Sequence, residues 1–344
     1  MNLNKPKVTI IILNWNGWQD TIECLESLYK INYPDYHVIV VDNASSNGSL
    51  QKIKEYCNGK LEVKSSFFEY TRENKPLNIL EYTEDELKSV ENNQIPAFDL
   101  LIIKNNENHG FAGGNNIGIK FAMKTLNSDY ALLLNNDTVV DKYFLDELMK
   151  VAESSPQIGF VGPKTYYYNK KNLIQTTGGC RINLNRAEPF HVDLEEEDIG
   201  QYDKDLNIDY VSGSCILCKR EVIEKIGLMD EAHFMYWEET DWCFRGAKYN
   251  YKSVYAYKSR IWHKVGKSSQ TPFKIYYHNR NRVYFIKKNA DKSQKLIYML
   301  YLFIIYFEFM TGVYLVYRRD KEKFMAFYRG IRDGLHLKPK IEKI

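Results

Sequence analysis

Three carboxylates stand close together among large aromatic residues in the segment HFMYWEETDWCFR. The acids are Glu238, Glu239 and Asp241, and Trp237 is one of the rings beside them. Acids on a solvated helix face are not usually interleaved with so many large aromatic side chains. A sugar site uses both kinds of residue, because a flat ring covers the apolar face of a sugar while a carboxylate accepts a hydroxyl proton. We therefore interpret this segment as a catalytic and acceptor-binding region, with the small-residue strand at Gly213 beneath it.

A second polar group lies at the end of the apolar run in ALLLNNDTVV. Asn135, Asn136 and Asp137 follow residues that are suited to a buried strand. A turn or a helix cap is one explanation, because Asn and Asp favour both. A ligand site is the other. The remaining strand-like runs of this half of the chain end in the same way, at Asn14-Trp15-Asn16, Asp42-Asn43 and Asn105-Asn106.

These polar residues follow a predicted alternation of strands and helices. Apolar, β-branched runs predict strands at 7–14, 36–43, 98–105 and 130–135, and helical spacing predicts helices after the first strand and at about 114–126 and 141–154. Near-continuous apolar strands that alternate with helices indicate a parallel sheet covered on both faces. Ligands of such sheets bind beyond the carboxyl ends of the strands. The sequence therefore predicts an α/β fold whose polar strand ends share one crevice.

Two loops have residues that suit a phosphate. NHGFAGGNN leads into a predicted helix, where backbone amides could approach an anion. Its spacing matches neither the dinucleotide GxGxxG pattern nor the Walker pattern, which disfavours a dehydrogenase or a P-loop ATPase. NWNGWQDT lacks the basic GxGxRL-like loop of a sugar nucleotidyltransferase. A lone His is more often structural, but His263 is accompanied by residues that suit a diphosphate, namely Lys264, Lys267, Ser268 and Ser269.

Composition and charge narrow the class of protein. The formal net charge of +3 offers no basic field for nucleic acid. Cys215 and Cys218 have CxxC spacing, but no second CxxC or paired His motif completes a zinc site, so we interpret them as strand or core cysteines. The start MNLNKPKVTIIIL does not have the pattern of a cleaved signal peptide, and we expect reduced thiols in the cytosol.

Two polar segments and one apolar segment depart from the α/β pattern. Residues 57–97 form a polar insertion with a predicted short helix at 83–91 and no assigned role. Residues 193–205 are too acidic for a core and predict a solvated loop. Residues 296–317 form an apolar run that is long enough to cross a bilayer.

Glu308 lies near the centre of that apolar run and argues against a simple membrane span. The cations on either side of the run suit an anionic membrane surface. We interpret the run as an interfacial membrane-associating segment. A soluble core helix or a homodimer helix, and a true span, are the alternatives.

Six segments in order resemble the pattern of inverting family 2 glycosyltransferases with the GT-A fold, and most of all their rhamnosyltransferase-like branch. The resemblance covers about residues 7 to 290 and depends on TIIILNWNG, VIVVDNASSNGS, NHGFAGGNNIGI, LLLNNDT, VSGSCILCKREVIEKIGLMDE and FMYWEETDWCFR. It implies a Rossmann-like, mostly parallel sheet with helices on both faces, followed by a C-terminal helical membrane-associating segment. The donor sugar is less specified, because similar motifs serve different nucleotide sugars.

The resemblance assigns a role to each matching position. Asn135-Asn136-Asp137 stands at the DXD motif, so Asp137 would hold Mg2+ or Mn2+ against the donor diphosphate, with His263 as a second metal ligand. Glu239 would be the base, Glu238 would assist it, and Gly213, Trp237 and Glu238 would contact the acceptor. The predicted nucleotide-sugar-binding residues are Asn14, Trp15, Asp42, Asn108, Gly113, Gly114, Asn115, Asn135 and Asn136.

The sequence departs from the family pattern at two positions. Asn135 replaces the first Asp of DXD, and Glu239 stands where most relatives have Asp. The second departure makes Asp241 a competitor for the role of base. On a helix, positions 239 and 241 point about 200° apart, so only one of the two carboxylates can face the acceptor. The family register favours Glu239.

The function implied by these residues is a metal-dependent inverting transfer of a sugar at the cytoplasmic membrane face. The expected donor is dTDP-rhamnose or, as an alternative, a UDP-hexose, and the expected acceptor is a lipid-linked or cell-surface glycan. A non-catalytic GT-A-like protein that binds nucleotide sugars is the alternative from another class. The expected domains are a catalytic domain at 1–272, with halves of about 1–140 and 141–272, and a helical region at 273–344.

Overall fold

The computed structural model describes residues 5–90, 95–190, 195–206, 208–264 and 271–343. The strands are β1 (Val8–Asn14), β2 (Tyr36–Asp42), β3 (Ile79–Thr83), β4 (Leu100–Lys104), β5 (Tyr130–Asn135), β6 (Thr138–Val140), β7 (Ile158–Tyr167), β8 (Lys170–Thr177), β9 (Gly179–Asn183), β10 (Glu188–Phe190), β11 (Glu196–Glu197), β12 (Tyr210–Val211), β13 (Cys215–Lys219) and β14 (Lys252–His263).

The helices alternate with strands in the first half of the chain and dominate its end. They are α1 (Trp18–Leu28), α2 (Ser49–Cys57), α3 (Gly110–Lys124), α4 (Phe144–Ala152), α5 (Arg220–Ile226), α6 (Glu238–Ala247), α7 (Pro272–Asn289), α8 (Lys292–Leu300), α9 (Phe307–Thr311) and α10 (Lys321–His336). A π-helical stretch, Tyr301–Tyr306, joins α8 to α9, and a second one, Gly312–Tyr317, continues α9. Together they form one continuous helix from Lys292 to Tyr317, which we call the apolar helix.

The predicted parallel strands form the centre of the main sheet. Its order is β11-β8-β7-β13-β5-β1-β2-β4-β3, and β14 pairs with β6 and β7. The strands β1, β2, β4 and β5 run parallel, with Asn14 opposite Asp42 and Leu13 opposite Asn135. The carboxyl ends of these strands therefore lie on one rim, as the sequence predicts.

Both faces of the sheet are covered by helices, which explains the near-continuous apolar strands. On β1, Ile10 and Ile12 contact one core, together with α1, α2 and α4, whereas Ile11 points into the other core. That second core contains side chains of α3, α5 and α6, including Ile119 and Trp242. The result is the mixed α/β GT-A-like fold.

The polar insertion and the acidic loop both make specific contacts with the main sheet. The insertion supplies β3, which pairs in parallel with β4 at the edge of the sheet, and the predicted helix at 83–91 is a short 3-10 helix, Glu86–Ser89. In the acidic loop, Asp198 and Asp203 accept hydrogen bonds from the buried ammonium of Lys164, at 2.8 and 2.5 Å. Part of this loop is therefore an ion-pair partner of the sheet.

The C-terminal helices form a third core beside the sheet. Tyr298, Leu302 and Tyr314 of the apolar helix are buried and belong to the same cluster as Phe327 of α10. The opposite side of the apolar helix is exposed although it is apolar, with exposed fractions of 65% at Ile304 and 66% at Phe309. Glu308 lies on this helix at an exposed position.

Candidate active site

A cleft of about 420 Å³ opens at the carboxyl ends of the central strands. One part of its lining is the β5–β6 turn, with Asn135, Asn136 and Asp137, and another is the start of α6, with Glu238 and Glu239. These groups are about a hundred residues apart in the chain. The remaining lining residues are Leu13, Phe111, Ser212, Gly213, Ser214, Met235, Tyr236 and His263.

Asp137 and His263 are neighbours because β14 pairs with β6. His263 Nε2 lies 3.1 Å from Asp137 Oδ1. Ligand atoms about 2.1 Å from one metal ion, at right angles to each other, are separated by about 3 Å. The second ring nitrogen of His263, Nδ1, lies 3.0 Å from Gln175 Oε1 and can donate to it, which leaves the lone pair of Nε2 for a metal. The two side chains therefore fit a divalent cation.

Glu238 and Glu239 occupy the first turn of α6, where the helix dipole favours an anion. Burial works in the opposite direction and is stronger. It raises the pKa of Glu239 to about 7, and burial together with the neighbouring charge of Glu239 raises the pKa of Glu238 well above its usual range. A carboxylate with a pKa close to neutral is suited to accept a proton at physiological pH.

Gly213 brings the end of β12 close to the carboxyl group of Glu239. A Cβ atom at position 213 would lie 3.6 Å from Glu239 Cδ, in ordinary van der Waals contact. Among the described residues, no group forms a hydrogen bond with Glu239 Oε2 or with Glu238 Oε2. An acceptor hydroxyl that entered the cleft would supply the missing partner.

Asp241 lies in a different environment, because it is fully buried beneath the cleft. Its Oδ2 accepts hydrogen bonds from Arg245 Nε at 2.9 Å and Lys288 Nζ at 2.8 Å, and its Oδ1 accepts one from Asn289 Nδ2 at 2.8 Å. Burial opposes ionisation, but electrostatic interactions with His233, Arg245 and Lys288 outweigh it and hold the pKa of Asp241 below its usual range. This environment favours a supporting role for Asp241, and its catalytic role stays a prediction.

We expect Asp241→Asn to reduce stability more than chemistry. Removing one partner of a buried ion pair typically costs about 3 to 5 kcal/mol. The low pKa of Asp241 stabilises the folded state above the ordinary carboxyl pKa, and this contribution is lost as the pH falls. Urea unfolding at pH 7 and at lower pH should therefore show a difference between wild type and variant that shrinks in acid. A variant of normal stability that has lost turnover would contradict this.

Asp230, His233 and Asp241 have ligand-type atoms close enough to surround a metal ion. Lys288 Nζ bridges Asp230 Oδ2 and Asp241 Oδ2 at 2.7 and 2.8 Å, and Tyr284 also donates to Asp230. A metal ion would have to displace these internal donors. We therefore read this group as a structural ion-pair network and assign the fit for a cation to Asp137 and His263.

Polar side chains of α7 support the loop that precedes the acids of α6. Phe234, Tyr236 and Trp237 have φ angles of 63°, 69° and 74°, a region that costs energy for non-glycine residues. Asn281 of α7 donates to the carbonyls of His233, Met235 and Tyr236 at 2.7 to 2.9 Å. Arg280 donates to two carbonyls of the same loop. The buried polar residues of α7 thus hold the loop in place, which the basic and aromatic sequence of α7 did not reveal.

The predicted nucleotide side of the rim is formed by β1 and β2. Asn14 Nδ2 donates to Asp42 Oδ1 at 2.6 Å and to Ser45 Oγ at 3.1 Å, and Asn14 Oδ1 accepts from Thr21 Oγ1 at 2.9 Å. These bonds occupy the side chain of Asn14, which therefore orients Asp42. Trp15 is 59% exposed and available to a ligand. Direct contacts of Asn14, Trp15 and Asp42 with a nucleotide stay predictions.

Gly113 and Gly114 lie in the first turns of α3 and allow the helix to pack closely against its neighbours. A Cβ atom at Gly114 would lie 2.5 Å from Leu13 Cδ1, and one at Gly113 would lie 2.8 Å from His109 Cβ. Asn108 Oδ1 accepts hydrogen bonds from Asn43 Nδ2 and Gly110 N, both at 2.8 Å. Asn115 Nδ2 donates to Phe111 O. The contacts of these residues are with other parts of the protein, while Phe111 lines the cleft itself. A direct role of the four predicted residues in binding a sugar phosphate stays a prediction.

Of the two neighbouring aromatic residues Tyr236 and Trp237, the one that lines the cleft is not the one predicted from the sequence. Trp237 is buried in the third core, with its ring centre 5.1 Å from that of Phe285, so it cannot present a face to an acceptor and that prediction is wrong. Tyr236 lines the cleft instead. Which of the two rings faces the cleft could not be predicted from HFMYWEETD, because the left-handed residues of the loop break any regular periodicity.

The basic residues after His263 have a different position from the one expected. Lys264 Nζ forms ion pairs with Asp20 and Glu23, at 2.7 and 2.5 Å, and these acids raise its pKa above the usual range. Lys264 is therefore occupied by α1 and is not free for a diphosphate. Lys267, Ser268 and Ser269 lie outside the described residues.

Comparison with known proteins agrees with this geometry. The model of the family described as "Glycosyltransferase like family 2" matches residues 83–285, which is more than half of the chain, and that of "Glycosyl transferase family 2" matches residues 9–76. The chain belongs to glycosyltransferase family 2. The two matches together include the rim, the cleft and α7 as far as residue 285.

Known members and structures differ in how much of the chain they match. A low-salt glycan biosynthesis hexosyltransferase of Haloferax volcanii is 29% identical over 157 residues, 44% of this chain and 48% of the relative. An N-acetylglucosaminyl-diphospho-decaprenol L-rhamnosyltransferase of Mycobacterium tuberculosis is 25% identical over 145 residues, 39% of this chain and 47% of the relative. The chain thus spans about half the length of these curated relatives.

One solved structure is similar to almost the whole of this chain. The mannosyltransferase of Pyrobaculum calidifontis in complex with GDP-Man and Mn2+ superimposes with a TM-score of 0.55 and 14% identity, over 97% of this chain and 88% of that chain. At this level of identity the likeness concerns the fold. It includes the mixed α/β sheet and the helices that cover it.

Proposed function

We propose that this family 2 enzyme is a metal-dependent inverting glycosyltransferase in which Glu239 is the base. The observation that carries the proposal is the single cleft that combines Asp137 and His263 with Glu239. An acceptor hydroxyl loses its proton to Glu239, and its oxygen attacks the anomeric carbon from the face opposite the leaving group. The bond to the nucleotide diphosphate breaks as the new bond forms, which inverts the configuration.

Asp137 and His263 would hold Mg2+ or Mn2+ beside the donor diphosphate. When bound, the cation supplies positive charge to the departing diphosphate. Asp42, oriented by Asn14, would accept hydrogen bonds from the base or ribose, and Asn135 would face the ribose. The raised pKa of Glu238 favours its protonated form, which would donate a hydrogen bond to a sugar oxygen.

We propose a rhamnosyl nucleotide, with dTDP-rhamnose first, as the donor and a lipid-linked or cell-surface glycan as the acceptor. The rhamnosyltransferase relative supports the first choice, and the hexosyltransferase relative supports a UDP-hexose as the alternative. A thermal-shift screen of both classes, with and without Mn2+, tests this. We expect one donor to raise the melting temperature only with metal. A donor that binds but never releases nucleotide with any acceptor would favour the non-catalytic alternative.

We propose further that residues 273–344 form a region that attaches the catalytic domain, 1–272, to the cytoplasmic face of the membrane. The apolar helix is long and apolar enough to cross a membrane, but one of its sides is packed against the protein. Attachment in the plane of the membrane uses the exposed side and keeps Glu308 within reach of water. A homodimer that covers the same side is the alternative for this surface.

We expect the double variant Ile304→Glu with Phe309→Glu to reduce binding to phosphatidylglycerol vesicles by at least about tenfold, because burial of each such side chain contributes about 1.5 to 3 kcal/mol. Both residues are exposed, so the fold should persist. Ile199→Glu is the matched control, since Ile199 is 85% exposed in the acidic loop. Truncation before residue 292 would be a poorer test, because it also removes α10, which packs on α7. Equal cosedimentation of the wild type and the double variant would rule out this attachment.

A further inference from the structure

A second cavity adjoins the catalytic cleft and shares Tyr236 with it. It has a volume of about 330 Å³. One wall is α7, with Lys274 and His278, and the other is the apolar helix, with Tyr306, Met310 and Tyr314. We call this cavity the α7 groove. It links the cleft to the helix whose outer side is exposed and apolar.

The charge of the lining changes between the cleft and the α7 groove. The cleft contains the carboxyl groups of Asp137, Glu238 and Glu239, whereas the α7 groove contains Lys274 and no acid among its described lining residues. Within the described ranges, Lys274 forms no ion pair with a carboxylate. Lys288, on the same helix, is by contrast paired with two buried acids. Lys274 is therefore a cation that is available to an external anion.

Lys274 and His278 are four residues apart on α7 and thus lie on the same side of the helix. The ring of His278 lies 6.2 Å from that of Tyr236, so the polar wall begins where the cleft ends. Tyr306, Met310 and Tyr314 are also at four-residue intervals and provide one apolar and aromatic stripe opposite. The cavity thus offers a cation on one wall and hydrocarbon contacts on the other.

We propose that the α7 groove binds the phosphate and the first isoprenoid units of a lipid-linked acceptor, with Lys274 as the residue that selects for the phosphate. This rests on the proposed function, because the acceptor hydroxyl must reach Glu239. The side chains that line the cleft and the α7 groove change in character in the same order as the chemical groups of such an acceptor. Carboxylates meet the sugar, Lys274 meets the phosphate, and the stripe on the apolar helix meets the hydrocarbon before it enters the membrane.

The experiment uses the full chain and farnesyl diphosphate as the probe, with EDTA present so that the probe cannot use a metal at the donor site. Isothermal titration calorimetry compares farnesyl diphosphate with inorganic diphosphate and with farnesol. We expect only farnesyl diphosphate to bind with measurable affinity, because each of the other probes makes half of the contacts. Lys274→Glu should weaken binding by at least about tenfold, the loss typical of a charged hydrogen bond.

Two variants control for charge and for position. Lys274→Arg keeps the cation and should bind farnesyl diphosphate within about threefold of the wild type. Lys124→Glu makes the same charge change at an exposed position on α3 and should leave binding unchanged. The proposal is overturned if Lys274→Glu binds the probe as tightly as the wild type. It is also overturned if inorganic diphosphate binds equally well, which would indicate a simple anion site.

Two further measurements separate this proposal from related ones. If Lys274→Glu lost binding to phosphatidylglycerol vesicles but kept farnesyl diphosphate, the α7 groove would belong to the membrane-binding surface and not to the acceptor site. Donor binding with Mn2+ should be the same in the wild type and in all three Lys variants. A wild type that bound farnesyl diphosphate but no nucleotide sugar would contradict the proposed function while the α7 groove assignment stood.

Discussion

Glu239→Gln is expected to lower turnover by at least about a hundredfold, while donor binding and melting temperature stay near those of the wild type. Loss of a general base typically costs a factor of about 10² to 10⁴ in rate. The amide is close in shape to the carboxyl group and cannot accept the proton from the acceptor hydroxyl. Single-turnover transfer and donor titrations on the same preparation separate the loss of chemistry from a loss of binding.

The same residue predicts the pH dependence of the wild type. Burial raises the pKa of Glu239 to about 7, and the base must be ionised, so kcat/KM should increase as the pH rises through this value. The raised pKa also lowers the stability of the folded state as the pH rises from the ordinary carboxyl pKa to about 7, and the full cost of the buried charge remains above that pH. Glu239→Gln removes this cost and should be at least as stable as the wild type above pH 7.

Glu238→Gln is the matched control for the base. Burial and the neighbouring charge of Glu239 raise the pKa of Glu238 well above its usual range, which favours the neutral form that an amide resembles. We expect turnover within about tenfold of the wild type, since both residues stay neutral hydrogen-bonding groups. The assignment of the base would be overturned if Glu239→Gln retained normal turnover, or if Asp241→Asn were folded and inactive.

Asp137→Ala is expected to abolish the dependence of donor binding on Mn2+ or Mg2+. Asp137 supplies the carboxylate that a hard divalent cation prefers, and His263 alone leaves a single protein ligand. Turnover should fall by at least about a hundredfold, because the leaving diphosphate loses its main source of positive charge. Donor titrations over a range of Mn2+ concentrations measure this, and an unchanged metal dependence would show that Asp137 is not a ligand.

His263→Gln and Asp146→Asn are the variants with which Asp137→Ala is compared. His263→Gln removes the second ligand and should weaken metal binding less than Asp137→Ala does, because it removes no charge from the site. Asp146 of α4 forms an ion pair with Lys5 and does not line the cleft, so Asp146→Asn should change neither metal nor donor binding. Equal effects of Asp137→Ala and Asp146→Asn would point to unspecific loss of charge.

The sequence left two candidates for the base, and the packing places them in different environments. Glu239 and Asp241 lie on one helix, and the helical rotation requires that they point in different directions. Which direction faces the cleft depends on Arg245, Lys288 and Asn289, which surround Asp241. Two of these three belong to α7, whose packing against α6 no local pattern could indicate.

The sequence by itself determined the alternation of strands and helices and the polar ends of β1, β2, β4 and β5. Periodicity and apolar runs are local properties, and parallel strands bring their ends to one rim whatever the rest of the chain does. It therefore predicted that Asp137 and Asp42 would lie on the same side of the sheet. The resemblance to the family added the expected roles of these residues.

The tertiary structure decided which side chains reach the cleft. It placed His263 beside Asp137 through the pairing of β14 with β6. It buried Trp237, placed Tyr236 in the lining of the cleft and paired Lys264 with acids of α1. Each outcome depends on contacts between segments far apart in the chain. Hydrogen bonds and ion pairs of this kind are specified by distance in space, and the local sequence pattern contains no information about that distance.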